Sequence, residues 1–188
     1  MIGNQAFRLI LLLYLLLAAG SLTWIHFREP DPLALLLASR CPAGVALLLG
    51  GLTGVAVVLA SDFWLERFDW TDRLQRQVEE ILRPMTVPRA AQLALFSGIS
   101  EELLFRGALL PILGLWLSSL VFGLLHCGPR LGGWTLFAVL AGLLLGGLFL
   151  LTGGVLAPVC AHVLINGIQL VRMARQPQAQ GEGEEPVN

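Results

Sequence analysis

The chain has 188 residues, of which 56% are hydrophobic and 13% charged, with a formal net charge of -1. That charged share is about half of what a soluble domain carries, so an ordinary soluble globular protein is excluded. No basic stripe points to nucleic acid. The three cysteines, Cys41, Cys127 and Cys160, form no CxxC pair, which argues against both a zinc knuckle and a disulfide framework. Several apolar runs approach the length of about 20 residues that crosses a bilayer core. The expected fold is therefore an all-α membrane protein, a bundle of about six transmembrane helices.

The first apolar run covers about Phe7 to Phe27. A cleaved signal peptide is the competing reading, with small residues at Ala18 to Ser21. The run continues through Trp24 and Phe27 to full membrane length, which favours a retained helix. A Pro-broken connection leads to a second span, about Cys41 to Trp64, where Gly50 and Gly54 form a GxxxG pair suited to close helix contact. The polar stretch that follows repeats Leu65, Phe68, Leu74, Val78, Ile81 and Leu82 at roughly helical spacing, as an amphipathic interfacial helix between the second and third spans does. A third span runs from about Pro88 to Leu110, broken by Pro111; a fourth runs to Cys127. The fifth covers about Trp134 to Leu151, with Gly142 and Gly146 as a second GxxxG pair, and the sixth about Val155 to Met173. Three regions result: 1–87 with two helices and the amphipathic connector, 88–173 as the core, and 174–188 as a disordered tail.

An even number of spans puts both termini on one side. Nine arginines lie in the segments on that side and only Arg28 and Arg40 on the other, so the positive-inside rule makes both termini cytoplasmic.

The motif "EELLFRG", starting at Glu101, stands out within the third span. A charge at the bilayer centre costs about 2.5–3.5 kcal/mol, while each Leu or Phe returns about 0.3–0.6. Such a helix persists only if its charges face the bundle interior and find partners. Glu102 and Arg106 stand four apart in the favoured order and can pair along one face. Glu101 has no basic residue at helical spacing, and an unpaired carboxyl there suits general acid–base work. His126 ends the fourth span, and His162 and Asn166 lie four apart on one face of the sixth. A lone intramembrane histidine is more often a packing residue. A Glu, a His and a His/Asn pair on three helices together supply a base, a proton shuttle and two oxyanion donors.

Other chemistries fit less well. No HExxH occurs around either histidine. Ser97, Ser100, Ser118 and Ser119 lack a nucleophile turn, and no Asp lies between Pro88 and the C-terminus. Cys127 follows His126 directly, but neighbours on a helix point apart, and buried cysteine is ordinarily a small core residue.

"EELLFRG", "FGLLH" and "HVLIN" occur in the order of the EExxxR, FxxxH and HxxxN motifs of the CAAX-protease and bacteriocin-processing (CPBP, or Abi) family of intramembrane proteases, which the chain resembles over about Pro88 to Met173. The resemblance implies a bundle with its site inside the membrane, Glu101 as catalytic glutamate, His126 as water-activating histidine, and His162 and Asn166 on the oxyanion side. Glu102 and Arg106 fall on supporting positions. It implies hydrolysis of a membrane-associated protein or peptide in a bacterial plasma membrane, without a cofactor; zinc is the less favoured alternative. The rivals are a catalytically idle binding or bacteriocin-immunity protein on the same bundle, and a proton-coupled transporter. A transporter more often shows internal repeats, and none relates the first three spans to the last three.

Overall fold

The computed structural model describes residues 3–29, 40–65, 85–126 and 132–175. Among these residues all regular structure is helical. α1 is Asn4–Arg28 and α2 Ala43–Leu65. α3, Val87–Glu102, continues directly into a π-helical segment, Leu103–Leu109. α4 is Leu110–Leu125, α5 Gly132–Thr152 and α6 Leu156–Arg175. The expected spans lie within a few residues of these bounds, apart from the junction of the third and fourth. The amphipathic connector, Cys127 and most of the tail lie outside the described residues.

Five helical stretches are long and apolar enough to cross a membrane, and the third of them, Val87–Leu125, is 39 residues long. The chain is an integral membrane protein by that measure, and its outward surface is leucine-rich: Leu9, Leu13, Leu16, Leu48 and Leu59 are all exposed. The long stretch is not straight. Phe105 and Phe122 are 17 residues apart, yet their ring centroids are 4.8 Å from each other, where an unbroken helix would separate them by about 25 Å. The chain folds back at Gly114, whose φ of 72° and ψ of 173° interrupt the helix.

That position corrects the expectation that Pro111 breaks the span. Pro111 lies inside the continuing helix, just after the π segment. The wider π turn before it, in which the Leu110 N–H reaches back to the Phe105 carbonyl, accommodates the ring. Gly114 can take the positive φ that a residue with a Cβ resists.

Helices consecutive in the chain alternate in direction. α1 runs parallel to α3, with Asn4 near Arg89 at one end and Arg28 bonded to the Ala108 carbonyl at the other. α6 runs antiparallel to α3 and parallel to α2, as Gly98 meets Val163 and Gly50 meets Ala157. Both GxxxG pairs form close contacts. A methyl at Gly50 would overlap the Ala157 carbonyl, one at Gly54 would press on Ala161, and one at Gly142 would meet the backbone of Ser119. At the end of the bundle where α5 finishes, Arg40 donates its backbone N–H to the Thr152 carbonyl and its guanidinium to that of Leu150. These are orphan C-terminal carbonyls that a cation suits.

Candidate active site

α3 starts cleanly, with Thr86 at the N-cap position and Pro88 in its first turn. Its inward face is built from small residues. Ala90, Ala94, Ser97, Gly98 and Ser100 are all buried, and they let α6 approach closely. Glu101 and Glu102 follow on the same helix, just before the π turn, and both are buried, Glu102 completely. Single π turns inside helices recur at functional sites because they re-aim the side chains that follow.

Glu102 is the anchor of the cluster. Its Oε1 accepts from Arg106 Nη1 at 2.7 Å and lies 2.7 Å from His162 Nδ1. Arg106, 2% exposed, also donates to the Gly142 carbonyl at 3.0 Å and lies over the Phe122 ring at 5.0 Å. The expected ion pair is present, but Glu102 does more than pair with arginine. It also holds a histidine from another helix in a carboxylate–imidazole contact.

Glu101 behaves differently. Its Oε2 lies 3.7 Å from His126 Nε2 and 3.8 Å from His162 Nε2, and it has no hydrogen-bond partner. Both distances exceed a direct hydrogen bond. They leave room between the three atoms for a small group such as water. His126 is set by its place at the C-terminus of α4, where its Nδ1 lies 2.7 Å from the Phe122 carbonyl. An acceptor at Nδ1 puts the proton there in a neutral imidazole, so both histidines turn Nε2 toward Glu101. The His126 side chain is 30% exposed against 10% for Glu101, so the cluster opens to its surroundings at His126.

The fold-back explains how these residues meet. Phe105 faces Phe122 across Gly114, and the same pairing, carried one helical turn further from the turn on each arm, sets Glu101 opposite His126. α6 supplies His162 from the other side. Asn166, one turn along α6, donates from Nδ2 to Ser97 Oγ at 3.0 Å, and Ser97 is one turn before Glu101. All six residues singled out in the sequence therefore lie in one buried region, with Asn166 at its edge against Ser97. Two participants had gone unassigned. Ser97 was weighed as a nucleophile rather than as a partner for Asn166. The Gly142 carbonyl is a backbone group with no sequence signature.

Among the described residues, no group of three or more His, Cys, Asp or Glu side chains is arranged to hold a metal ion. The site is a Glu/His cluster enclosed by helices of a membrane bundle. Residues 83–168, which carry all three motifs, match the family model described as "Type II CAAX prenyl endopeptidase Rce1-like". The chain is also similar to the "Uncharacterized protein YpbD" of Bacillus subtilis, at 35% identity over 92 residues, 48% of this chain and 48% of the relative. The chain thus spans about half the length of the curated relative it matches. No solved structure matches it.

Proposed function

We propose that this protein is an intramembrane endopeptidase that hydrolyses a peptide bond of a membrane-associated protein or peptide. The observation that carries the reading is the partnerless Glu101 Oε2 facing two histidine Nε2 atoms at 3.7 and 3.8 Å. A water bonded there loses one proton to Glu101, with His126 holding it in place, and its oxygen adds to the substrate carbonyl carbon. The carbonyl electrons move onto oxygen, where His162 and the amide of Asn166 stabilise the negative charge. Asn166 keeps a second N–H beyond the one given to Ser97. Glu101 then returns the proton to the amide nitrogen as the C–N bond breaks. Glu102 faces Nδ1 of His162, so a His162 protonated on both nitrogens keeps its Nε2–H for the oxyanion, oriented much as a triad carboxylate orients its histidine.

This chemistry uses no metal. The bundle crosses the membrane six times, a reading supported by the alternating helix directions and the fold-back at Gly114. Both termini face the cytoplasm of a bacterial cell, as the arginine asymmetry favours. The amphipathic connector lies along that face. A substrate segment approaches from the His126 side, where the cluster is open.

The test compares membrane peptides in cells carrying wild-type protein with those carrying Glu101→Gln, and repeats the processing with purified protein under strong chelation. Peptides cleaved only by wild type, with processing untouched by chelator, support the reading. Full biological function in Glu101→Gln would instead assign the bundle a binding or immunity role. Activity lost to chelator and restored by zinc would replace activated water by metal catalysis.

A further inference from the structure

Ser97 is 3% exposed, in the face of α3 that α6 covers. Small apolar contacts close that face on either side of it. Val163 of α6 leaves no space for a methyl at Gly98, and a methyl at Gly167 would touch the Ala94 side chain. Such an interface packs well with alanine or glycine at every position, so packing gives no reason for a hydroxyl at position 97. Its use lies in what it bonds: Ser97 Oγ accepts from Nδ2 of Asn166 at 3.0 Å.

The direction of that bond is set from the serine side. The Ser97 hydroxyl donates to the Ala94 carbonyl of its own helix at 3.4 Å, which leaves its oxygen as an acceptor. An acceptor there selects the Nδ2 side of the carboxamide, because the Oδ1 side would set lone pairs against each other. The last torsion of an asparagine side chain is broad and roughly two-fold, so without a partner the group turns easily. Turned over, it would bring Oδ1 to the place that Nδ2 holds, and the N–H left for an oxyanion would be carried away. The depth of the pair also fits. Ser97 is one turn before Glu101 and Asn166 one turn after His162. Because α3 and α6 run antiparallel, both steps go the same way, and the pair forms the layer next to the Glu/His cluster, about 6 Å along the axis.

We propose that Ser97 is a positioning residue of the site: its hydroxyl oxygen takes one N–H of the Asn166 carboxamide and so keeps the other directed at the oxyanion. This role rests on the endopeptidase reading above, in which Asn166 is an oxyanion donor. Ser97 itself touches none of the reacting atoms; its whole effect passes through Asn166.

The test is a double-mutant cycle in the processing assay, on full-length protein in detergent, with rates taken per folded molecule after gel filtration. Ser97→Ala suits the small-residue face and removes only the acceptor. A neutral hydrogen bond of this kind is worth about 2- to 10-fold. The kcat falls by that factor while KM holds, because the oxyanion develops only after substrate is bound. In Asn166→Ala, already slowed about 10²- to 10³-fold, adding Ser97→Ala changes nothing further. A serine that merely supports the helix contact gives the opposite pattern, in which the two losses multiply. With Glu101→Gln inactive, three results each overturn the positioning role alone: multiplied losses, wild-type kcat in Ser97→Ala, or loss of the fold in that variant. Equal processing by wild type and Glu101→Gln overturns the endopeptidase reading, and the role with it.

Discussion

α6 packs against two helices in two different ways. Toward α2 it presents Ala157, Cys160 and Ala161, which meet Gly50 and Gly54 at backbone distance. Toward α3 it presents His162, Val163 and Asn166, which meet Glu102, Gly98 and Ser97. At these glycines the contact is dispersion between small groups, the usual way helices associate where lipid is as apolar as the protein; toward the C-terminal ends of both helices Gln169 bonds Ser61 and the exposed Arg172 pairs with Asp62. The second buries ionisable groups at a cost that neutral residues would avoid. One interface holds the helix in place; the other gives that place a chemical use.

The sharpest way to break this contrast is Glu102→Gln. It removes the negative charge that serves both Arg106 and His162, and leaving a buried charge uncompensated costs about 3–5 kcal/mol. Folded yield, measured by gel filtration in detergent, falls steeply together with activity. The double variant Glu102→Leu/Arg106→Leu sharpens the point. An apolar pair in place of a buried ion pair is roughly neutral for stability, so yield recovers, while His162 still lacks its acceptor and processing stays lost. Recovery of activity with yield would reduce Glu102 to a purely structural residue.

A smaller effect is expected at Asn166. Asn166→Ala leaves the apolar contacts of α6 with α2 untouched, so yield holds. Processing drops about 10²- to 10³-fold if the amide is an oxyanion donor. A loss of folded protein equal to the loss of activity would place Asn166 with the scaffold.

The smallest of the three belongs to the apolar interface. Gly50→Val forces α2 away from the Ala157 carbonyl, and overpacking of this kind costs about 1–3 kcal/mol. Thermal unfolding in detergent shifts downward, while activity per folded molecule is kept, because Gly50 faces Ala157 and Cys160 of α6 and not the Glu/His cluster. A drop in specific activity larger than the drop in folded fraction would mean that the two faces of α6 are coupled.

The sequence by itself determined the membrane class, the approximate helix bounds and the identity of the polar residues, since each follows from local composition. An apolar run of membrane length is helical because its backbone polar groups have no water to turn to. The pair Glu102–Arg106 was readable because four residues along one helix is a fixed geometry. The fold-back was misplaced to Pro111 because proline is the stronger breaker on average. Only the π turn before it, and the φ of Gly114, decided where the chain reverses. Contacts between helices were beyond local reading altogether. His162 against Glu102 and Asn166 against Ser97 join residues 60 or more positions apart. Which of several polar side chains meet is set by the depth and rotation at which small-residue faces lock together. Those are properties of the packed bundle, and no spacing within one helix encodes them.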